Sequence, residues 1–111
     1  MITAATKQKV TDKLKACIAV ANKRYNINVK FPNVVYQKRG TTAGTANYGT
    51  WTIDLNPVLL AENEEDFINR TVPHELAHLI TDMVYPHAHK RMYGQKRSPH
   101  GSEWQSVMHV L

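Results

Sequence analysis

Apolar residues recur at helical spacing in three stretches of the chain and follow strand-like patterns in two others. Between residues 4 and 22, Val10, Leu14, Cys17, Ile18 and Ala21 share one stripe with lysines elsewhere, which predicts an amphipathic helix. The β-branched and aromatic run "NVKFPNVVYQ" (28–37) predicts a strand, with Pro32 suited to an edge or a bulge. A second strand is expected over 45–56, "TANYGTWTIDLN", with Tyr48 and Thr50 on one face and Trp51 and Ile53 on the other. Gly40, Gly44 and Gly49 lack a P-loop ending and Rossmann spacing, so they read as turn or bulge glycines.

Asn56-Pro57 reads as a helix N-cap followed by proline at the first helical position, opening the short turn "PVLLAE". Asn63 is expected to cap the next helix, with Glu64, Glu65 and Asp66 favourable at its positive end. That helix should run to about residue 84, kinked or restarted at Pro73. Trp104, Val107, Met108 and Leu111 predict a short terminal helix that reaches the last residue uncapped, as in a piece of something longer. Together these elements predict one α+β domain over residues 1–111, with a small antiparallel sheet packed against its helices.

The long helix carries "TVPHELAHLI", an H-E-x-x-H arrangement. Residues four apart on a helix lie on one face with Cβ atoms about 5–6 Å apart, so His74 and His78 can share one metal ion. Glu75, rotated to the flank, can reach an attacking water without being a ligand. Chance placement of this pattern, from the chain's own His and Glu content, is on the order of one per cent. Ile68, Val72, Leu76, Leu79, Ile80 and Met83 line the opposite side and pin the helix to the core. The blander alternative, core histidines, would require buried partners for both imidazoles.

A catalytic zinc usually takes three protein ligands and keeps one position open. The candidates for the third are His87, His89, His100, Glu103 and His109. His109 projects away from the apolar stripe of the last helix, and His87 and His89 sit in a basic loop, about 86–97. His100 lies one turn before Trp104 on the buried side and is the favoured ligand, with Glu103 next, or else an acceptor for a ligating imidazole. Val84 stands where a metzincin would have a further histidine.

Length and charge refine this picture. The chain has 111 residues, 42% of them apolar, which is enough for one small core. One cysteine excludes an intramolecular disulfide and a cysteine-only zinc ribbon, and Cys17 lies on the apolar stripe as core. The lysine-interrupted N-terminus does not read as a signal peptide, and no stretch reaches transmembrane length, so a cytoplasmic protein is expected. Net charge is +5, distributed as +8 over residues 1–40, −6 over 41–85 and +3 over 86–111. Basic ends around an acidic middle suggest an anionic partner, nucleic acid first, bound weakly and without sequence preference; a solvated lysine-rich surface is the alternative.

The sequence resembles the SprT-like metallopeptidases, the family of the bacterial SprT proteins and eukaryotic Spartan. "VPHELAHLI" resembles the family's active-site helix, "SPHGSEWQSVM" its third-ligand segment, and "AGTANYGTWTIDLNPVLL" the preceding strand with its Leu-Asn-Pro exit. The resemblance spans most of residues 35–111. It implies a zincin-like minimal metalloprotease in which His74, His78 and His100 bind one zinc and Glu75 is the general base. It also implies protein substrates, and Spartan acts on proteins crosslinked to DNA. Residues 1–111 include no cysteine ribbon after the third-ligand segment and no counterpart of Spartan's separate DNA-binding and partner-binding segments.

The expected function is therefore zinc-dependent peptide-bond hydrolysis, with Tyr48, Tyr85 or Tyr93 as candidate oxyanion helpers and the 45–53 strand as a substrate edge. Two other classes fit less of the pattern. One is a non-catalytic nucleic-acid-binding module with a structural zinc, which would need no Glu75; the other is a zinc hydrolase acting on a non-peptide bond.

Overall fold

Thr3 starts the first helix: its hydroxyl accepts the Thr6 amide at 3.1 Å in the computed structural model, which describes residues 2–85 and 101–111. Helix α1 (Ala4–Tyr25) buries Thr6 and the five stripe residues read from sequence. It runs three residues beyond the expected end, because Lys23 and Arg24 suit its negative C-terminus and Asn26 (φ 53°) supplies a left-handed stop. Asn22 Oδ1 then accepts the Val29 amide at 2.8 Å, turning the chain toward the sheet.

Three short strands form that sheet: β1 (Asn33–Val35), β2 (Gly44–Asn47) and β3 (Thr52–Leu55), in the order β1-β3-β2. Strand β2 pairs antiparallel with β3, but β1 pairs parallel with it, Val34 opposite Ile53. The sheet is thus mixed rather than wholly antiparallel. Residues 36–43 are long enough to step across one strand position, leaving the central slot for β3.

The single strand expected over 45–56 is instead a hairpin. Asn47 Oδ1 accepts the amides of Gly49 (2.9 Å) and Thr50 (3.2 Å), an Asx turn that ends β2. Trp51 takes φ 54°, and its indole N–H donates to the Lys30 carbonyl at 2.6 Å. Residues 48–51 are therefore turn, and the expected alternation of their side chains is lost. Only Ile53 and Leu55 send fully buried side chains from β3 into the core.

Asn56 is 1% exposed, and its side chain makes four hydrogen bonds. Its Oδ1 accepts the Val58 and Leu59 amides at 3.0 and 3.2 Å, capping α2 (Pro57–Glu62) as expected. Its Nδ2 donates to the Gly40 and Thr42 carbonyls, both at 3.1 Å, which fastens the approach to β2. Asn56→Ala strands all four partners, and a loss of about 2–4 kcal/mol is expected in chemical denaturation. Asn56→Asp keeps the cap acceptor but faces two carbonyl oxygens with a carboxylate, so it should rescue little of this.

Asn63 does not cap by its side chain. It is a joint, its amide bonding back to Leu59 and its carbonyl accepting the Phe67 amide at 2.9 Å. After it come the single turn α3 (Glu64–Asp66), a π turn over Phe67–Thr71, and α4 (Val72–Val84). In the π turn the Val72 amide bonds Phe67, five residues back. Pro73 has no amide hydrogen to give, so the winding loosens just ahead of it, where a kink or restart was expected. The turn buries both Phe67 and Ile68. Helix α5 (Ser102–Val110) packs on α4 with Val107 buried, Trp104, Met108 and Leu111 half-buried, and His109 exposed. No described helix is long and apolar enough to cross a membrane.

Candidate metal centre

The histidine pair spans the first two turns of α4, His74 on the first and His78 on the second. Val72, Leu76, Leu79 and Ile80 are fully buried on the same helix and fix its rotation, so His74 and His78 sit half-buried on its remaining side. Their ring centroids are 5.1 Å apart with planes at 71°. That separation admits one ion held at about 2.0–2.1 Å from a nitrogen of each ring, and two imidazoles are donors suited to zinc. The described residues therefore fit a metal. They bring together two of its expected ligands; among them no group of three or more His, Cys, Asp or Glu side chains assembles. His87, His89 and His100, the basic residues Lys90, Arg91, Lys96 and Arg97, and Tyr93 lie outside the described residues. Glu103 is half-buried in the first turn of α5.

Glu75 is more enclosed than its flank position suggested. It is 7% exposed, and one carboxylate oxygen lies 3.9 Å from His74 Nε2. Burial pushes its pKa up to about 7, a range in which a carboxylate can both take and return a proton near neutral pH. The cause of this enclosure is Gly44, at the start of β2. A Cβ there would lie 3.2 Å from Glu75 Cγ, from the Asp54 carbonyl oxygen and from Leu55 Cδ2. Strand β2 can pack this closely on the Glu75 side chain because residue 44 has no side chain of its own.

Trp104 closes the other side. Its indole N–H donates to the His74 carbonyl at 3.3 Å. Its ring stacks on His78 (5.6 Å, 29°) and lies tilted against His74 (4.8 Å, 59°). Sequence reading gave Trp104 an apolar packing role and Gly44 a turn role. No one-dimensional signal separates those roles from contact with the site, because each depends on a partner far away in the chain.

Burial places several other residues named from the sequence. Cys17 is buried, and desolvation pushes its thiol pKa up despite Lys13, so it is core. Tyr48 is 44% exposed in the hairpin turn, and Tyr85 follows the last turn of α4. The basic residues of α1 do not form one stripe. At about 100° per residue, Lys9, Lys13 and Arg24 border one edge of its buried face and Lys7 and Lys15 the other. Lys9 pairs with Glu64 at 2.9 Å, and Thr6 and Lys9 together hold that carboxyl below its usual range. Lys7 lies 5.3 Å over the Tyr36 ring.

The Glu75 shift has a consequence in the metal-free protein. A carboxyl whose folded pKa is raised leaves stability intact below the unfolded value near 4.5 and removes it as pH rises to about 7. The loss is up to about 3 kcal/mol, constant above that window. Metal-free Glu75→Gln should match the parent's melting temperature near pH 4.5 and exceed it at pH 8. A gap that stays constant across pH would contradict the raised value.

Residues 14–111 match the SprT-like family. Among similar proteins, Protein SprT of Vibrio atlanticus is 46% identical over 100 residues, 90% of this chain and 55% of that one. Protein SprT of Serratia proteamaculans is 42% identical over 107 residues, 96% of this chain and 58% of that one. The chain thus spans a little over half the length of these relatives. The fold is similar to the metallopeptidase zymogen of Pyrococcus abyssi abylysin, with TM-score 0.62 at 20% identity, over 92% of this chain and 78% of that one. It is also similar to the metallopeptidase zymogen of Methanocaldococcus jannaschii jannalysin, with TM-score 0.52 at 18% identity, over 86% and 77%.

Proposed function

The chain belongs to the SprT-like family, and on that premise we propose that it is a zinc-dependent metallopeptidase hydrolysing internal peptide bonds. The observation that carries this reading is the His74–His78 pair, one turn apart on α4, with a buried carboxyl, Glu75, beside His74. His74, His78 and His100 would hold one zinc. When bound, zinc supplies Lewis acidity, which lowers the pKa of a water to about 7 and polarises the scissile carbonyl.

The remaining steps fall to the chain's own groups. Glu75 accepts the proton of the attacking water at a carboxylate oxygen and later delivers it to the leaving amine. Strand β2 is an edge of the sheet and passes over Glu75, so an extended substrate pairing with Gly44–Asn47 would lie beside the carboxylate. A structural zinc in a non-catalytic module would call for a closed set of four ligands and no buried base. The test is zinc analysis with casein cleavage before and after chelation: about one zinc per chain is expected, with activity lost on its removal and restored by zinc. A zinc-loaded chain inert toward casein and peptides would favour the structural-zinc or non-peptide reading.

Contact with DNA-associated proteins is a further part of the proposal, resting on the +8 of residues 1–40. Basic residues on both edges of α1 fit a weak contact that falls steeply with salt. Titration of labelled DNA at two salt concentrations tests it, and absence of binding at low salt would remove it.

A further inference from the structure

We infer that Trp104 is a positioning residue for the His74–His78 pair, holding both imidazoles in place for metal binding. The inference rests on the reading of these histidines as ligands and adds to it a residue that touches no metal. Three contacts support it: the indole stacks on His78, abuts His74, and donates its N–H to the His74 carbonyl.

The chemistry of the contacts suits the task. An imidazole ligates through a lone pair in the plane of its ring, whereas a stacked partner occupies the ring's face. Stacking on His78 thus restricts its rotation without competing for the nitrogen. The N–H bond ties the indole to the backbone of the very helix that carries the ligands, so the two rings and their brace move as one body. Half-buried side chains left free to turn would lose that freedom when an ion binds; here much of it is already removed. Outer partners of ligating histidines usually act through a ring N–H. This one acts through a ring face and a main-chain carbonyl.

The test measures zinc affinity by chelator competition in the parent, Trp104→Leu, Trp104→Phe and Val10→Ala. Val10 is fully buried in α1, so its truncation lowers stability from a different element than those that carry the histidines and Trp104. Trp104→Leu should lose roughly 10-fold or more in affinity. Trp104→Phe keeps a ring but no N–H and should lose less, while Val10→Ala should bind as the parent does. Zinc should also change the parent's tryptophan emission, and Trp104→Phe, with Trp51 as its remaining indole, should lose that response. If Trp104→Leu does not fold, the affinity and emission of Trp104→Phe decide the matter. Parent-like affinity in the foldable Trp104 variants, or an equal loss in Val10→Ala, would overturn the role of Trp104 alone. A parent that takes up no zinc would overturn the metal reading itself.

Discussion

Glu75→Gln is expected to keep the fold and the zinc yet lose peptide hydrolysis by about 10²–10⁴-fold. The amide has nearly the carboxyl's shape, so the space beneath Gly44 stays filled and α4 keeps its place. It cannot take a proton from water, which is the single function removed. Burial makes the substitution mild for folding, because the native site already disfavours a charge there. The measurement pairs zinc content and melting temperature with casein cleavage. A variant that is folded, zinc-loaded and as active as the parent would remove Glu75 from the chemistry and, with it, the proposed mechanism.

His74→Ala and His78→Ala are expected to abolish both activity and stable zinc binding. Each removes one of two donors on adjacent turns, and the remaining ring cannot hold the ion at comparable affinity. The loss should exceed the 10–100-fold typical of outer partners. His100→Ala should follow them; full zinc retention in that variant would move the third position to Glu103 or His87. A metal held by His74, His78 and His100 would join α4 to the segment leading into α5, so zinc should raise the parent's melting temperature and leave His78→Ala unmoved. Equal zinc stabilisation of parent and variant would place the ion elsewhere on the chain.

Local signals explain what could be read from the sequence. Helix α1 and the buried side of α4 were legible because a helix's partners lie three and four residues away in the same string. Asn56-Pro57 was legible as a cap for a similar reason, although the half of Asn56 that holds Gly40 and Thr42 was not. The hairpin was missed because Asn47-Tyr48-Gly49-Thr50 lies inside a β-branched, aromatic run that matches a continuous strand. The parallel pairing of β1 depends on where the chain goes after residue 36, which no alternation encodes. In the site, His74, Glu75 and His78 announced themselves by spacing. Gly44 and Trp104 meet them from 31 positions before Glu75 and 30 after His74, so only folding reveals the contact.

The π turn makes the chain's length a control on its chemistry. Phe67–Thr71 holds one residue more than an α-helical turn would need there. Removing that residue would tighten the winding and rotate everything upstream by about 100° relative to the histidines. Either Phe67 and Ile68 would swing out of the core, or Glu64 would leave Thr6 and Lys9. The extra residue thus works like a gear tooth between two shafts: it lets α1 set the facing of Glu64 while the sheet and α5 independently set that of the histidine pair.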